Sequence, residues 1–160
     1  WQEYGLRSVG LRPYIIYGPG RDQGMSSTPT KAMLAAAVGR DYQISFGGSA
    51  VYHHARDAAN VFIRAAATQL NGAPVFNLGG THATMAEMVA AIEAAAPEMA
   101  GRITFAPKGL DTPTAIDDSA LEAALGHTEW IDLTSGVRET VELFRRAARD
   151  GKVDVERILA

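Results

Sequence analysis

The order of apolar and polar positions divides the 160-residue chain into alternating strands and helices. A near-continuous apolar run over 7–17, rich in β-branched residues, is typical of a strand that is covered on both faces. Pro13 lies inside this run and cannot donate a hydrogen bond to a neighbouring strand, so we expect regular pairing to weaken there. Further short strands are predicted over 42–46, 51–55, 75–78 and 102–106. The pattern therefore predicts an α/β fold.

Helices are predicted where apolar residues recur every three or four positions. Thr84 with Glu87 is a capping box at the start of helix 85–96. The residues expected on inward faces are Ala58, Val61, Phe62, Ala65 and Ala66 in helix 58–69, Met85, Met88, Val89 and Ile92 in helix 85–96, and Val137, Val141, Phe144 and Ala148 in the last long helix. The other expected caps are Thr28 for helix 29–38, Asp57 for helix 58–69, Asp117 or Asp118 for a short helix around Leu121, and Thr134 for the last long helix.

The two ends of the chain carry weaker signals. Residues 1–4 would form the last turn of a helix that Gly5 stops, because glycine is favoured just past a helix end. Residues 150–160 are expected to be a loosely attached tail with a short helical turn.

Composition narrows the class of protein. A chain of 160 residues can form one domain with a moderate core, and its 47% hydrophobic and 21% charged residues are ordinary for a globular protein. The net charge of -3 argues against nucleic-acid binding through a basic surface. The sequence has no cysteine, which excludes a disulfide framework and thiolate chemistry. It has no apolar run of membrane-spanning length and no signal-peptide pattern, so we expect a cytoplasmic enzyme that makes no membrane contact.

Five short segments follow one another in an order that is more specific than any of them alone. They are Leu11-Arg12 followed by Tyr17-Gly18-Pro19-Gly20, then Phe46-Gly47-Gly48, Ala55-Arg56-Asp57-Ala58-Ala59, Phe76-Asn77-Leu78-Gly79-Gly80, and Thr134-Ser135-Gly136-Val137-Arg138-Glu139-Thr140. In this order the chain resembles the extended short-chain dehydrogenases/reductases, the NAD-dependent epimerases and dehydratases. The resemblance covers most of residues 1–140.

The resemblance implies the carboxyl-terminal part of a Rossmann-type fold together with a small mixed α/β substrate-binding lobe. Residues 1–20 would be the last part of the dinucleotide-binding domain, 21–149 the lobe with returning Rossmann elements, and 150–160 the tail. In the family, the amino-terminal half carries the glycine-rich dinucleotide turn and a catalytic Tyr-x-x-x-Lys pair, and this sequence contains neither. We therefore expect a missing amino-terminal half, no catalytic residue in this chain, and little activity or NAD affinity in the chain alone. The rival interpretation is a family whose first half never existed.

The resemblance also implies a cofactor contact at the end of the first strand. In the family, the main chain at the positions of Pro13, Tyr14, Ile15 and Ile16 lies beside the nicotinamide ring of NAD or NADP. Ligands of open α/β sheets bind just outside the carboxyl ends of the strands, which favours the same place. The alternative is a plain core strand. The choice between NAD and NADP stays open, because it depends on a residue after the family's second strand.

The substrate would lie against the loop that follows. Arg21–Thr28 stands where the family's substrate loop begins, and its Arg21, Met25, Ser26, Ser27 and Thr28 offer a cation and hydroxyls for a polyol or carboxylate. The alternative is a solvated connection with a helix cap. His53 and His54 are neighbours on a strand and face opposite sides, so they cannot share one metal, and no cysteine or carboxylate cluster completes a zinc set. We expect no metal, and His53 either contacts the substrate or is an ordinary packed histidine.

Two departures from the family pattern bear on the substrate. Many nucleotide-sugar members have an asparagine near Ile15 and Ile16, and most have a diphosphate-binding arginine at or near Ala50. Isoleucine cannot hydrogen-bond, and alanine replaces none of an arginine's charge-assisted contacts. These departures imply a smaller or less charged substrate, or a diphosphate held by Arg21, Lys31 or Arg40 instead.

The resulting expectation is the substrate-binding portion of an NAD(P)-dependent epimerase, dehydratase or reductase. It would act by hydride transfer on a sugar-like or small hydroxylated substrate. The alternative is a non-catalytic relative of the same fold that senses a dinucleotide or docks a protein. Apolar surface exposed without the other half would also allow a homo-oligomer.

Overall fold

The predicted α/β class is confirmed in a computed structural model that describes residues 1–110 and 113–160. The strands in those ranges are β1 (Gly10–Arg12), β2 (Ile15–Tyr17), β3 (Tyr42–Ile44), β4 (Ser49–His54), β5 (Val75–Asn77), β6 (Thr81–Thr84) and β7 (Ile103–Phe105). The helices are α1 (Thr28–Ala37), α2 (Ala55–Ala67), α3 (Met85–Ala95), α4 (Ser119–Leu125), α5 (Leu133–Arg149) and α6 (Val155–Leu159), with a 3-10 turn at Pro97–Met99. Within the described ranges, the helices fall short of the length and apolar character that a membrane crossing requires.

The apolar run at 7–17 is two strands and not one. β1 pairs in parallel with β5, whereas β2 pairs in parallel with β4, and the chain changes sheet at Pro13 and Tyr14. The prediction that pairing weakens at Pro13 is confirmed, and the prediction of one continuous strand is wrong. β4 continues its sheet by pairing antiparallel with β6, a strand that the sequence pattern missed because its Thr-His-Ala-Thr residues include one small apolar side chain. β3 and β7 form a separate parallel pair.

Two hydrophobic clusters hold these sheets. The larger cluster lies between the β2–β4–β6 sheet and helices α1, α3 and α5. Val137, Val141 and Phe144 are buried there, which confirms most of the predicted inward face of the last long helix. A smaller cluster lies under β1 and β5, where α2 and α4 contribute Val61 and Leu121. The smaller cluster therefore packs against the parallel β1–β5 pair.

Helix α2 buries less of its apolar face than its sequence predicts. Ala58, Val61 and Ala65 are buried as expected, but Phe62 is 49% exposed and Ala66 is also exposed. The prediction for these two residues is wrong for the described part of the chain. Both residues line an open groove beside the first strand, described below.

The capping box of α3 is confirmed: the N–H of Glu87 donates to Thr84 Oγ1, and the N–H of Thr84 donates to Glu87 Oε2 at 2.7 Å. The predictions that Thr28, Asp57 and Thr134 cap their helices are wrong. Ser27 stands at the cap position of α1 without a side-chain bond, His54 caps α2, and Asp132 caps α5. At α4, Asp118 occupies the cap position, but Asp117 Oδ1 accepts from the N–H of Ser119.

The displaced side chains make tertiary contacts instead. Thr28 Oγ1 bonds the hydroxyl and the N–H of Ser45, and Asp57 Oδ2 accepts a hydrogen bond from the N–H of Ile131 at 2.8 Å. Each of these helix starts has more than one polar residue within its first turn, and contacts with other segments take up some of them. Asp57 therefore joins α2 to the segment before α5.

The last residues of the chain are packed rather than loosely attached. Ile158 of α6 is 8% exposed and belongs to the larger cluster, and Arg157 pairs with Asp22 at 2.7 Å. The expectation of a loose tail is wrong. At the other end, the N–H of Gly5 donates to the carbonyl of Trp1, which confirms a single helical turn stopped by glycine.

Candidate functional site

The change of sheet at Pro13 and Tyr14 lies at the carboxyl end of β1, next to the carboxyl end of its parallel partner β5. Of the residues predicted to contact a cofactor, Ile15 is buried, whereas Pro13, Tyr14 and Ile16 are half-buried. Their side chains are apolar or aromatic, so polar contacts to a ligand would come mainly from the main chain. The structure brings these four residues together at a strand end, and their role stays a prediction.

His53 stands directly behind this segment. The N–H of Tyr14 donates to His53 Nε2 at 2.9 Å, and the imidazole is fully buried. Burial lowers the pKa of His53 to about 4, so the ring is neutral near pH 7. In this arrangement its polar contact is to the protein, and a direct contact with substrate stays a prediction.

His54 points to the opposite side of β4, as the strand geometry predicts. Its ring packs edge-on against Tyr17 with centroids 5.4 Å apart, and its Nε2 lies 3.5 Å from Thr140 Oγ1 on α5. Its Nδ1 accepts the N–H of Arg56. Burial lowers the pKa of His54 as well. His54 therefore joins β4, α2 and α5 and supports the turn that begins at Tyr17.

The predicted substrate loop is a closed turn. The N–H of Ser27 donates to the carbonyl of Gly24, and Arg21 Nη2 donates to Ser26 Oγ at 3.1 Å. Met25 is 81% exposed at its tip, whereas Ser27 is buried. Thr28 is half-buried and is tied to Ser45. The loop thus presents Arg21, Met25 and Ser26 outward, and the substrate roles of all its predicted residues stay predictions.

A groove runs between this loop, the start of α1 and the end of α6. Its polar lining includes Lys31, which was considered from the sequence for binding a diphosphate, together with Ser45 and Arg157, which were not singled out. The hydrogen bond from Arg157 lowers the pKa of Asp22. Arg157 lies 135 residues from Asp22, and no local pattern in the sequence could have placed it here.

The cations considered for a diphosphate differ in their surroundings. Arg21 and Lys31 lie at the loop, but Arg40 forms an ion pair with Glu156 of α6. Ala50, at the family's arginine position, is buried in β4 opposite Ala83. A cationic contact at position 50 is therefore absent, and the cations at the loop are Arg21 and Lys31.

A second groove lies beyond the carboxyl end of β5. Gly79 and Gly80 form part of its wall, with Trp130, Asp118 and the pair His127 and Glu122. His127 Nδ1 lies 2.7 Å from Glu122 Oε1 on the exposed side. Across residues 1–110 and 113–160 the structure contains no cluster of three or more histidine and carboxylate side chains that would hold a metal ion.

The first strand also borders an open groove. Val9 and Leu11 form one wall, and Phe62, Ala66 and Leu70 contribute to the other. In the described part of the chain, β1 and β5 each have a single hydrogen-bonded neighbour, which is the other one. The outer edge of β1 therefore remains open for a further strand.

No family model matches this sequence, and no curated protein matches it by sequence. Solved structures do match its fold. A partial-consensus L-threonine 3-dehydrogenase superposes with a TM-score of 0.77 at 19% identity, covering 91% of this chain and 51% of its own. The dTDP-glucose 4,6-dehydratase of Bacillus anthracis, solved with NAD, has a TM-score of 0.72 at 19% identity over 88% of this chain and 45% of its own. The UDP-glucose 4-epimerase of Thermus thermophilus, also solved with NAD, has a TM-score of 0.74 at 24% identity over 91% and 49%.

At this level of identity the matches show the fold, which is the Rossmann-like α/β arrangement with parallel strands that the sequence predicted. The matching structures include a dehydrogenase, a dehydratase and an epimerase, and several were solved with NAD or NADH. The chain spans about half the length of these solved structures.

Proposed function

We propose that this chain is the substrate-binding part of a larger NAD(P)-dependent epimerase, dehydratase or reductase. The whole enzyme would act by hydride transfer on a sugar-like or small hydroxylated substrate. The observation that carries the proposal is the superposition of nearly the whole chain on about half of enzymes solved with NAD.

The open groove beside β1 supports the same conclusion. A parallel strand added to the outer edge of β1 would extend the β1–β5 pair into a Rossmann-type sheet, and the apolar side chains of Phe62 and Leu70 would be covered at the same time. Val75 of β5, 52% exposed, is further apolar surface on the β1–β5 pair. The proposed occupant of the groove is the amino-terminal half that the family resemblance implies.

The chain would hold only one end of the cofactor. The half-buried main chain at Pro13, Tyr14 and Ile16 fits the flat nicotinamide end, and the sequence has no glycine-rich turn for the phosphates. When bound, NAD(P) supplies a hydride acceptor or donor. The catalytic tyrosine and lysine of the family would come from the other half, so this chain orients substrate and cofactor and moves no proton itself.

The substrate would bind along the loop groove. Lys31 and the hydroxyls of Thr28 and Ser45 line this groove and suit hydroxyl groups and one anionic group of a ligand. Ala50 supplies no charge for a diphosphate, which favours a smaller or less charged substrate than those of the nucleotide-sugar enzymes. A diphosphate bound by Arg21 and Lys31 is the alternative.

The test compares the chain alone with the longest protein that its gene encodes. We expect the longer protein to contain a Tyr-x-x-x-Lys pair and to enhance NADH fluorescence on binding, while the 160-residue chain binds NADH weakly and turns nothing over. Turnover by the chain alone would contradict the proposal that the catalytic residues lie in the other half of the protein. A longer protein that fails to bind NADH would overturn the proposed function, and one that binds NADH but lacks the tyrosine would favour a dinucleotide-sensing relative.

The substrate groove has its own test within the same protein. Lys31→Gln should raise KM for a hydroxylated, anionic substrate with little change in kcat, because it removes binding and not chemistry. Lys152→Gln is the matched control, since Lys152 pairs with Asp150 at the end of α5 and is not part of the groove lining. Equal effects of the two substitutions would exclude Lys31 from the substrate site.

A further inference from the structure

We propose that His53 is a positioning residue that holds the main chain at Pro13 and Tyr14 in the shape required by the nicotinamide end of NAD(P). The inference rests on the proposed function, because it concerns the cofactor contact of that same site. It adds a residue whose side chain would act without touching the cofactor.

The first observation is the place of the hydrogen bond. β1 ends at Arg12 and β2 begins at Ile15, so the two residues between them belong to neither ladder. Pro13 has no N–H, and the N–H of Tyr14 donates to a side chain, His53 Nε2, at 2.9 Å. His53 therefore takes the place of a strand partner where the chain changes sheet.

The second observation is that His53 also lies against the end of the neighbouring strand. A Cβ at Gly80 would stand 2.7 Å from His53 Nδ1 and 2.7 Å from the carbonyl of Tyr52, so only glycine fits there. The indole of Trp130 packs on the imidazole with centroids 5.5 Å apart. His53 thus lies against the residues that follow β1 (Tyr14) and β5 (Gly80), the two strands whose carboxyl ends border the candidate site.

The third observation is the state of the ring. Because Nε2 accepts the N–H of Tyr14, the neutral ring carries its proton on Nδ1, which faces the backbone of Gly79 without a well-formed hydrogen bond. Burial lowers the pKa of His53 to about 4, which keeps the Nε2 lone pair available near pH 7. A buried, rigid acceptor of this kind fixes one backbone amide, which is what a main-chain cofactor contact needs.

The experiment uses three variants of His53 and one control. His53→Gln places an amide oxygen near the position of Nε2, whereas His53→Phe keeps the ring volume and removes the acceptor. His53→Met is the apolar replacement to use if His53→Phe does not fold. Val141→Ala, in the larger cluster on α5, is the control for a general loss of stability.

Two quantities are measured on these variants. In the 160-residue chain, hydrogen exchange followed by NMR reports the protection of the Tyr14 amide. In the longest protein that the gene encodes, fluorescence titration reports the dissociation constant for NADH. We expect His53→Phe to lose Tyr14 protection and to weaken NADH binding about tenfold, the order expected for one unpaired buried donor. His53→Gln should keep Tyr14 protection and the NADH dissociation constant within about threefold of the wild type. Val141→Ala should lower overall stability without a specific loss of Tyr14 protection or of NADH affinity.

The outcomes separate the inference from the proposed function. If the wild-type longer protein does not bind NADH, the proposed function fails and the inference fails with it. If the wild type binds NADH and His53→Phe binds it equally well despite a lost Tyr14 protection, the positioning role alone is wrong. An unchanged Tyr14 protection in His53→Phe, or a Gln variant as weak as Phe, would also overturn it.

Discussion

Gly136, in the first turns of α5, is a position where one added methyl group would collide with a buried aromatic side chain. A Cβ built there would fall far inside the contact distance of Tyr17 Oη, and 3.0 Å from Tyr17 Cζ and 3.3 Å from Ile131 Cγ2. Tyr17 is 1% exposed and its ring is held edge-on by His54, so it has no space into which to retreat. Gly136→Ala should therefore destabilise the protein, although alanine is the better helix former.

The magnitude follows from two opposing effects. Alanine in place of glycine inside a helix favours folding by about 1 kcal/mol. Overpacking a rigid core disfavours it by about 1–3 kcal/mol, and the contact with a buried tyrosine places this case at the upper end. The expected net loss is about 2 kcal/mol in the free energy of unfolding.

Tyr17→Phe supplies the decisive comparison. Tyr17 Oη is buried, and no hydrogen-bond partner for it lies among the described residues. Burial also raises the pKa of Tyr17, so the hydroxyl stays neutral. Removing the hydroxyl removes the closest contact of a methyl group at Gly136, while the contacts with the ring carbon Cζ and with Ile131 Cγ2 remain. Tyr17→Phe alone should be neutral or stabilising by about 1 kcal/mol, because it deletes an unsatisfied buried group.

The assay is a double-mutant cycle by urea unfolding of the 160-residue chain. In the Tyr17→Phe background, Gly136→Ala should destabilise the chain by about 1 kcal/mol less than in the wild type, which gives a coupling of about 1 kcal/mol between the two sites. Ser135→Ala, one residue away on α5, is the control and should change stability by less than about 0.5 kcal/mol. A loss that is the same in both backgrounds, or no loss in the wild-type background, would refute the steric reasoning.

Three further predictions concern other parts of the chain. Thr84→Ala should lower the free energy of unfolding by about 1 kcal/mol in urea unfolding, because it breaks the capping box with Glu87; no change would mean that α3 is held by packing alone. Because the pKa of His53 is about 4 in the folded chain and about 6.5 in the unfolded chain, the unfolded state binds the proton more readily and stability should fall as pH drops from 6.5 to 4. His53→Gln should flatten this dependence by up to about 3 kcal/mol, and an equally steep profile in the variant would contradict the low pKa. Exposed Phe62 and Ile63 should make the isolated chain associate at high concentration, and replacing both by glutamate should abolish this in light scattering, whereas a wild type that stays monomeric would count against it.

Interactions within a few residues could be predicted from the sequence. The capping box at Thr84 and the inward face of α5 depend on spacings of three and four residues, which a helix imposes on any chain. The break at Pro13 follows from a missing N–H, which is a property of the residue itself. These signals were sufficient for the fold class, and they predict a candidate site at the strand end formed by Pro13–Ile16.

The capping residues of α1, α2 and α5 could not be identified from local preferences. At α1 and α5 the competing residues, Ser27 with Thr28 and Asp132 with Thr134, have similar capping side chains, and their local preferences differ by a few tenths of a kcal/mol. At α2 the cap is His54, which is not among the residue types that local preference favours. The bond from Ile131 to Asp57 and the bonds between Thr28 and Ser45 outweigh such differences, because they satisfy groups in other segments.

The sequence by itself determined much of the short-range pattern: where the longer helices and, apart from β6, the strand segments lie, the break at Pro13, and a polar loop after the first strands. Only the tertiary structure decided that β1 and β2 join different sheets, that His53 accepts the N–H of Tyr14, and that Arg157 reaches Asp22. Tyr14 and His53 are 39 residues apart in the sequence, and Asp22 and Arg157 are 135 residues apart. A backbone amide and an imidazole at such separations acquire a preferred partner only after the core has packed and excluded water from both, so no local pattern of residues records the pairing.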